Sequence, residues 1–130
     1  MKTRLFSLSL MIMLAAVQVF AGRIYLIGDA TSSGWSLDAA PLMEQTGDNV
    51  YQWVGNLNDG TLKFLTHKDF APSYGPTTNN TALTVGTSDL QLRSSYDDPD
   101  NAFAVTAGRY ALTIDLSGDT PQLTVADGAE

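Results

Sequence analysis

Turn-forming residues break this chain at intervals too short for helices of ordinary length. They recur as Gly28, Ser33-Gly34, Gly47-Asp48-Asn49, Asn58-Asp59-Gly60, Tyr74-Gly75-Pro76, Gly86, Asp97-Asp98-Pro99-Asp100, Gly108 and Gly118-Asp119. Glycine reaches left-handed dihedrals without steric cost, and Asp, Asn and Pro favour turns through side-chain hydrogen bonds or a fixed φ. The segments between are short and rich in β-branched and aromatic residues, and few carry an apolar face at helical spacing. This pattern predicts an all-β fold, an immunoglobulin-like β-sandwich of about seven or eight strands.

Several strands are legible one by one. Residues 23–28 (RIYLIG) form a nearly continuous apolar run, as expected of a strand covered on both faces. In 49–57, Tyr51 and Trp53 share one face, and the alternation assigns Trp53 to the core. In 61–67, Leu62, Phe64 and Thr66 share a face opposite Lys63, Leu65 and His67. In 109–116, Tyr110, Leu112, Ile114 and Leu116 point inward, and Gly118-Asp119-Thr120 turns the chain into 122–125, where Leu123 and Val125 do the same. Gly47-Asp48-Asn49 reads as a hairpin turn joining 42–45 to 49–57, and residues 83–85, 90–92 and 102–105 are weaker strand candidates. The stretch 69–81 reads as a long loop carrying Phe70, Tyr74 and two prolines, and long loops in small domains are often functional.

The N-terminus has a separate grammar. Met1-Lys2-Thr3-Arg4 is positive, residues 5–20 are mostly apolar and uncharged, and Val19-Phe20-Ala21 places small residues for cleavage before Gly22. Residues 1–21 are therefore expected to be a secretory signal peptide and 22–130 a single domain, with no membrane insertion after cleavage. No cysteine occurs anywhere in the chain, which removes both a disulfide staple and a lipid-bearing residue. The expected location is the periplasm, the outer-membrane surface or the medium. Cleavage removes two of the seven basic residues and none of the 14 acidic ones, taking the net charge from −7 to −9. Such a surface is poorly suited to phosphate backbones, so nucleic acid is excluded as a partner.

Catalytic constellations are missing from the sequence. There is no cysteine and one histidine, His67, so an activated nucleophile with its base is not in evidence. The one dense acidic stretch, 97–100, is contiguous and reads as a turn, lacking both the separation of paired glycosidase carboxylates and the spacing of a calcium loop. A single histidine without cysteine makes zinc improbable. No enzyme activity, metal or cofactor is expected.

What remains is a set of aromatics in turns. Trp35 follows Ser32-Ser33-Gly34, Tyr74 lies in the long loop, and Tyr96 precedes the acidic turn. A flat ring offered to solvent can stack on the apolar face of a pyranose, while charged donors such as Lys63 and Lys68 bond its hydroxyls. The candidate carbohydrate-binding residues are Trp35, Lys63, Lys68 and Tyr74. The alternative for Trp35 is a cap packed over the end of the sandwich.

The order of several segments resembles one known family. Ile24-Tyr25-Leu26-Ile27-Gly28-Asp29-Ala30-Thr31 followed by Gly34-Trp35, then Asn49-Val50-Tyr51-Gln52-Trp53-Val54-Gly55, Leu62-Lys63-Phe64-Leu65, Pro76-Thr77-Thr78-Asn79 and 107–116 are similar to domains of the SusE/SusF outer-membrane starch-binding proteins. The resemblance implies a β-sandwich that binds an α-glucan polysaccharide or oligosaccharide without catalysis. It matches Trp35 to that family's platform aromatic and Lys63 to its Leu-Lys-Phe lysine. Family members are usually multi-domain lipoproteins, and this chain departs from that pattern. A second expectation is an envelope scaffold or protein-interaction module with the same fold and no glycan ligand.

Overall fold

The computed structural model describes residues 22–128, and the predicted signal segment 1–21 lies outside them. Ten strands are present: β1 (Tyr25–Ile27), β2 (Glu44–Gly47), β3 (Val50–Leu57), β4 (Gly60–Leu65), β5 (Ser73–Pro76), β6 (Thr81–Ala82), β7 (Gly86–Arg93), β8 (Phe103–Val105), β9 (Gly108–Asp115) and β10 (Gln122–Asp127). The described residues contain no helix. The architecture is the all-β sandwich that the turn spacing predicts. The excess over seven or eight strands comes from short pieces such as β5 and β6.

The strands follow the order β2-β3-β9-β10-β7-β5-β4-β8-β6, with β1 added on β4. Strand β7 serves both layers. Its residues Gly86–Asp89 pair with β10, whereas Leu90–Arg93 pair with β5. A strand that leaves one sheet for the other makes the corner of a sandwich. The longest ladder runs between β3 and β9, from Val50 opposite Asp115 to Leu57 opposite Gly108.

Between the layers lies the main core. Tyr51, Leu112, Ile114, Leu123 and Val125 from one side meet Ile24, Leu26, Leu62, Phe64 and Phe103 from the other. Trp53 is half-buried against the same cluster, on the face that its alternation with Tyr51 predicts. Each fully buried side chain of this size contributes roughly 1.5–3 kcal/mol, which lets the domain hold together without a cross-link.

A second, smaller cluster forms on the outer face of β1 and β4. Tyr25, Ile27 and Leu65 alternate with the core-facing residues and are covered by Ala40, Leu37 and Phe70. The cover is the loop 28–43, which returns along β1 through Leu26 N–H to the Pro41 carbonyl (2.9 Å) and Met43 N–H to the Ile24 carbonyl (2.8 Å). This explains the continuous apolar run of 23–28, since both faces of β1 are buried.

Loop 28–43 leaves β1 at Gly28, where φ is 133° and an added Cβ would lie 2.1 Å from the Thr61 carbonyl oxygen. Only glycine fits so close to a neighbouring backbone. Beside it, the Asp29 carboxylate accepts hydrogen bonds from the Thr61 N–H (2.6 Å) and hydroxyl (2.8 Å), which hold its pKa below the usual aspartate value.

Candidate functional site

Trp35 is carried by a tight series of turns within loop 28–43. Thr31 N–H donates to the Gly28 carbonyl, Gly34 N–H to the Thr31 carbonyl and Ser36 N–H to the Ser33 carbonyl, at 3.0, 3.1 and 3.3 Å. The Thr31 hydroxyl adds a bond of 2.8 Å to the Gly28 carbonyl. These contacts fix the backbone while leaving the indole 44% exposed. Trp35 is therefore not wedged between the sheets. Its neighbour is Phe70, with ring centroids 6.4 Å apart and planes tilted by 52°. The two rings come from separate loops and meet over the outer face of β4.

Lys63 lies beneath both rings. Its Nζ is 6.0 Å from the Trp35 ring centroid and 5.9 Å from that of Phe70. The sequence leaves this lysine as a free donor to ligand hydroxyls, and the structure corrects that expectation. The side chain is only 2% exposed, and its ammonium donates to Asp100 Oδ1 at 2.5 Å. Alternation along β4 does put Lys63 opposite Leu62 and Phe64, but the outer face is roofed by loop 28–43 and Phe70. An ammonium in that position supports the rings from below, through its attraction to their π-faces and its pairing with Asp100.

The other two candidates stand apart from this arrangement. Tyr74 pairs across the sheet with Phe64 and is half-buried against the main core, the face opposite Lys63. Burial raises the pKa of its phenol. It is not a second platform beside Trp35. Lys68 is exposed, and its ammonium lies 3.5 Å from the Asp38 carbonyl of the loop that bears Trp35.

Residues that the sequence reading did not connect complete the site. Arg93 donates to three backbone carbonyls, those of Phe70 (3.0 Å), Tyr96 (3.1 Å) and Asp98 (3.2 Å). Its guanidinium is 5.1 Å from the Tyr96 ring centroid and 3.9 Å from Asp100 Oδ2. Tyr96 is 59% exposed, and its hydroxyl donates to the Asp69 carboxylate, which also accepts the Phe70 N–H at 2.7 Å. The Tyr96 hydroxyl, then the Phe70 N–H, lower the pKa of Asp69; the same bond to Asp69 raises that of Tyr96. The turn 94–98 is closed by Asp98 Oδ2, which accepts from the N–H groups of Ser94 and Ser95 at 3.0 and 3.3 Å. Asp100, just beyond it, ties this turn to Lys63. The result is a surface with Trp35, Phe70 and Tyr96 exposed or half-exposed, fixed by a Lys63–Asp100–Arg93 network underneath. Sequence reading gave Tyr96 as a turn aromatic and Phe70 as a loop residue. The Arg93-x-x-Tyr96 spacing is a local signal that joins Arg93 to Tyr96, and it does not reach Phe70.

Comparison with known proteins agrees on the fold. One solved structure, described as the ligand-induced structure of AmyP-SBD, superposes with a TM-score of 0.50 at 22% sequence identity. The match covers 85% of this chain and 74% of that one. The two share a β-sandwich fold. No family model matches this chain, and no curated protein does so.

Proposed function

We propose that this protein is an exported, non-catalytic carbohydrate-binding module, and that its ligand is starch or a related α-glucan held on the Trp35–Phe70 surface. The observation that carries the reading is the half-exposed indole of Trp35, fixed by its turn and set beside Phe70. An isolated exposed aromatic needs no explanation, but a rigidly supported group of rings at one surface does. Two further lines support it: the fold is shared with a starch-binding domain, AmyP-SBD, and the segment order resembles the SusE/SusF proteins. Tyr96 extends the surface, and Oδ2 of Asp69 and Oδ1 of Asp98, the oxygens not used within the turn, offer acceptors to hydroxyls. A small open site of this kind binds weakly: a dissociation constant of about 1 mM corresponds to roughly −4 kcal/mol. Repetition of the ligand along a polymer then supplies avidity.

Affinity electrophoresis in amylopectin tests the proposal. The wild-type protein should be retarded, and Trp35→Ala should migrate as in a gel without polysaccharide. Losing about 1 kcal/mol of ring stacking lowers a millimolar affinity roughly fivefold, enough to remove retardation. A wild-type protein that is not retarded overturns the reading. The competing reading, a scaffold or partner-binding module, draws on Leu42 and Val54, which are 47% and 50% exposed and share a furrow with Trp53. It predicts partner capture that Val54→Ser abolishes and Trp35→Ala leaves intact.

A further inference from the structure

A strongly acidic chain has few cations to place, and the location of its uncommitted ones is informative. Five Lys and Arg residues fall within 22–128: Arg23, Lys63, Lys68, Arg93 and Arg109. Lys63 and Arg93 face Asp100. Arg109 donates to the Gly128 carbonyl at 2.9 Å. Among the described residues, no carboxylate is paired with Arg23 or Lys68. Both line one groove, and so does His67.

The groove lies at the end of the sandwich where the chain enters β1 and leaves β4, and its volume is about 460 Å³. That is within the usual range for small-molecule sites, roughly 300–1,000 Å³. Tyr25, Tyr51 and Leu116 give it an apolar lining. His67 is oriented by a 2.8 Å hydrogen bond between Nδ1 and the Thr66 hydroxyl. Two acids are near. Asp69 stands near His67, and its Oδ1 accepts from the Tyr96 hydroxyl and the Phe70 N–H. Glu44 lines an adjoining furrow that shares Arg23 and Tyr51. Cations grouped without carboxylate partners repel one another, and a concave low-dielectric wall focuses their field. Nothing in the packing of the sandwich requires them there.

We propose that this groove binds a small organic anion, a ring-sized body bearing a carboxylate, of the dimensions of one acidic monosaccharide. Arg23 presents the planar fork that matches a carboxylate, Lys68 and His67 supply further donors, and the tyrosine-lined wall covers the ring. The site is distinct from the Trp35–Phe70 surface and does not depend on its function.

The experiment is a titration of the purified ¹⁵N-labelled protein, its N-terminus verified by mass spectrometry, followed by amide chemical shifts. Glucuronate should give saturable shifts at residues 22–25, 49–51 and 66–68. Glucose should not, and inorganic phosphate should bind more weakly than glucuronate. The double variant Arg23→Gln/Lys68→Gln should weaken glucuronate by about tenfold or more, as expected for loss of charged hydrogen bonds. It should keep the wild-type melting temperature, since both side chains are exposed, and Arg23→Gln alone should keep the wild-type retardation in amylopectin. Three results overturn the inference: no saturable shift with glucuronate, equal shifts with glucose, or glucuronate affinity unchanged in the double variant. Tighter binding of phosphate than of glucuronate overturns the assignment of a carboxylate ring.

Discussion

Asp100→Asn is expected to destabilise the domain more than Lys63→Met does, although Asp100 is the more exposed partner. Lys63 is 2% exposed and Asp100 49%. Removing one member of a buried pair costs roughly 3–5 kcal/mol, because the other charge is stranded. The half-exposed Asp100 screens the pair and lowers the figure, and the two rings about 6 Å from the ammonium compensate by up to about 1 kcal/mol each. A net loss of about 2 kcal/mol is therefore expected for Asp100→Asn. With an unfolding entropy of roughly 2.1 cal/mol/K per residue, that lowers the melting temperature by about 9 °C. Lys63→Met keeps the volume and the apolar stem while removing the buried charge, so its cost should stay under about 1.5 kcal/mol. The double variant should resemble Lys63→Met alone, because no ammonium remains to be stranded. Thermal unfolding by circular dichroism at neutral pH measures all three. If Lys63→Met loses more stability than Asp100→Asn, or the double variant sums the two single losses, the reasoning is wrong.

Two further outcomes follow from the exit of β1. Gly28→Ala should destabilise by about 2 kcal/mol or more, because a Cβ would collide with the Thr61 carbonyl and the positive φ disfavours any L side chain; urea unfolding measures it, and a change under about 0.5 kcal/mol contradicts the described geometry. Asp29 has a folded-state pKa depressed by its Thr61 bonds, so its contribution is present above the unfolded value of about 3.9 and is lost as pH falls through the folded value. Asp29→Asn should accordingly flatten the acid limb of the stability profile below about pH 4. An acid limb identical to that of the wild type would show that the bonds to Thr61 do not form in solution.

The tertiary structure overruled the sequence at sites where two segments meet. Strand β5 was hidden inside the apparent long loop because Ser73-Tyr74-Gly75-Pro76 reads as a turn. Gly75 is there for close approach: an added Cβ would lie 2.2 Å from the Asn101 carbonyl oxygen. Pro76 ends the strand, where a missing N–H is tolerated. Tyr74 reads as a loop aromatic for the same reason, yet within β5 it packs half-buried against the main core. Phe70 has no local signal that joins it to Trp35 or Arg93, because those contacts span 35 and 23 residues of chain.

Local chemistry alone determined a good deal. Period-two alternation assigned Tyr51, Leu112, Ile114, Leu123 and Val125 to the interior and placed Lys63 opposite Phe64, and the continuous apolar run of 23–28 marked both faces of β1 as covered. Turn residues set the all-β class, while the choice between an exposed Trp35 and one capping the sandwich came from the structure. Alternation tells which side of a strand a residue occupies, but not what lies over that side. Whether Lys63 met water or a roof depended on the loop 28–43 folding back across the sheet and on Phe70 arriving from elsewhere in the chain. Only long-range packing could decide that, because desolvation of a charge is a property of everything around it.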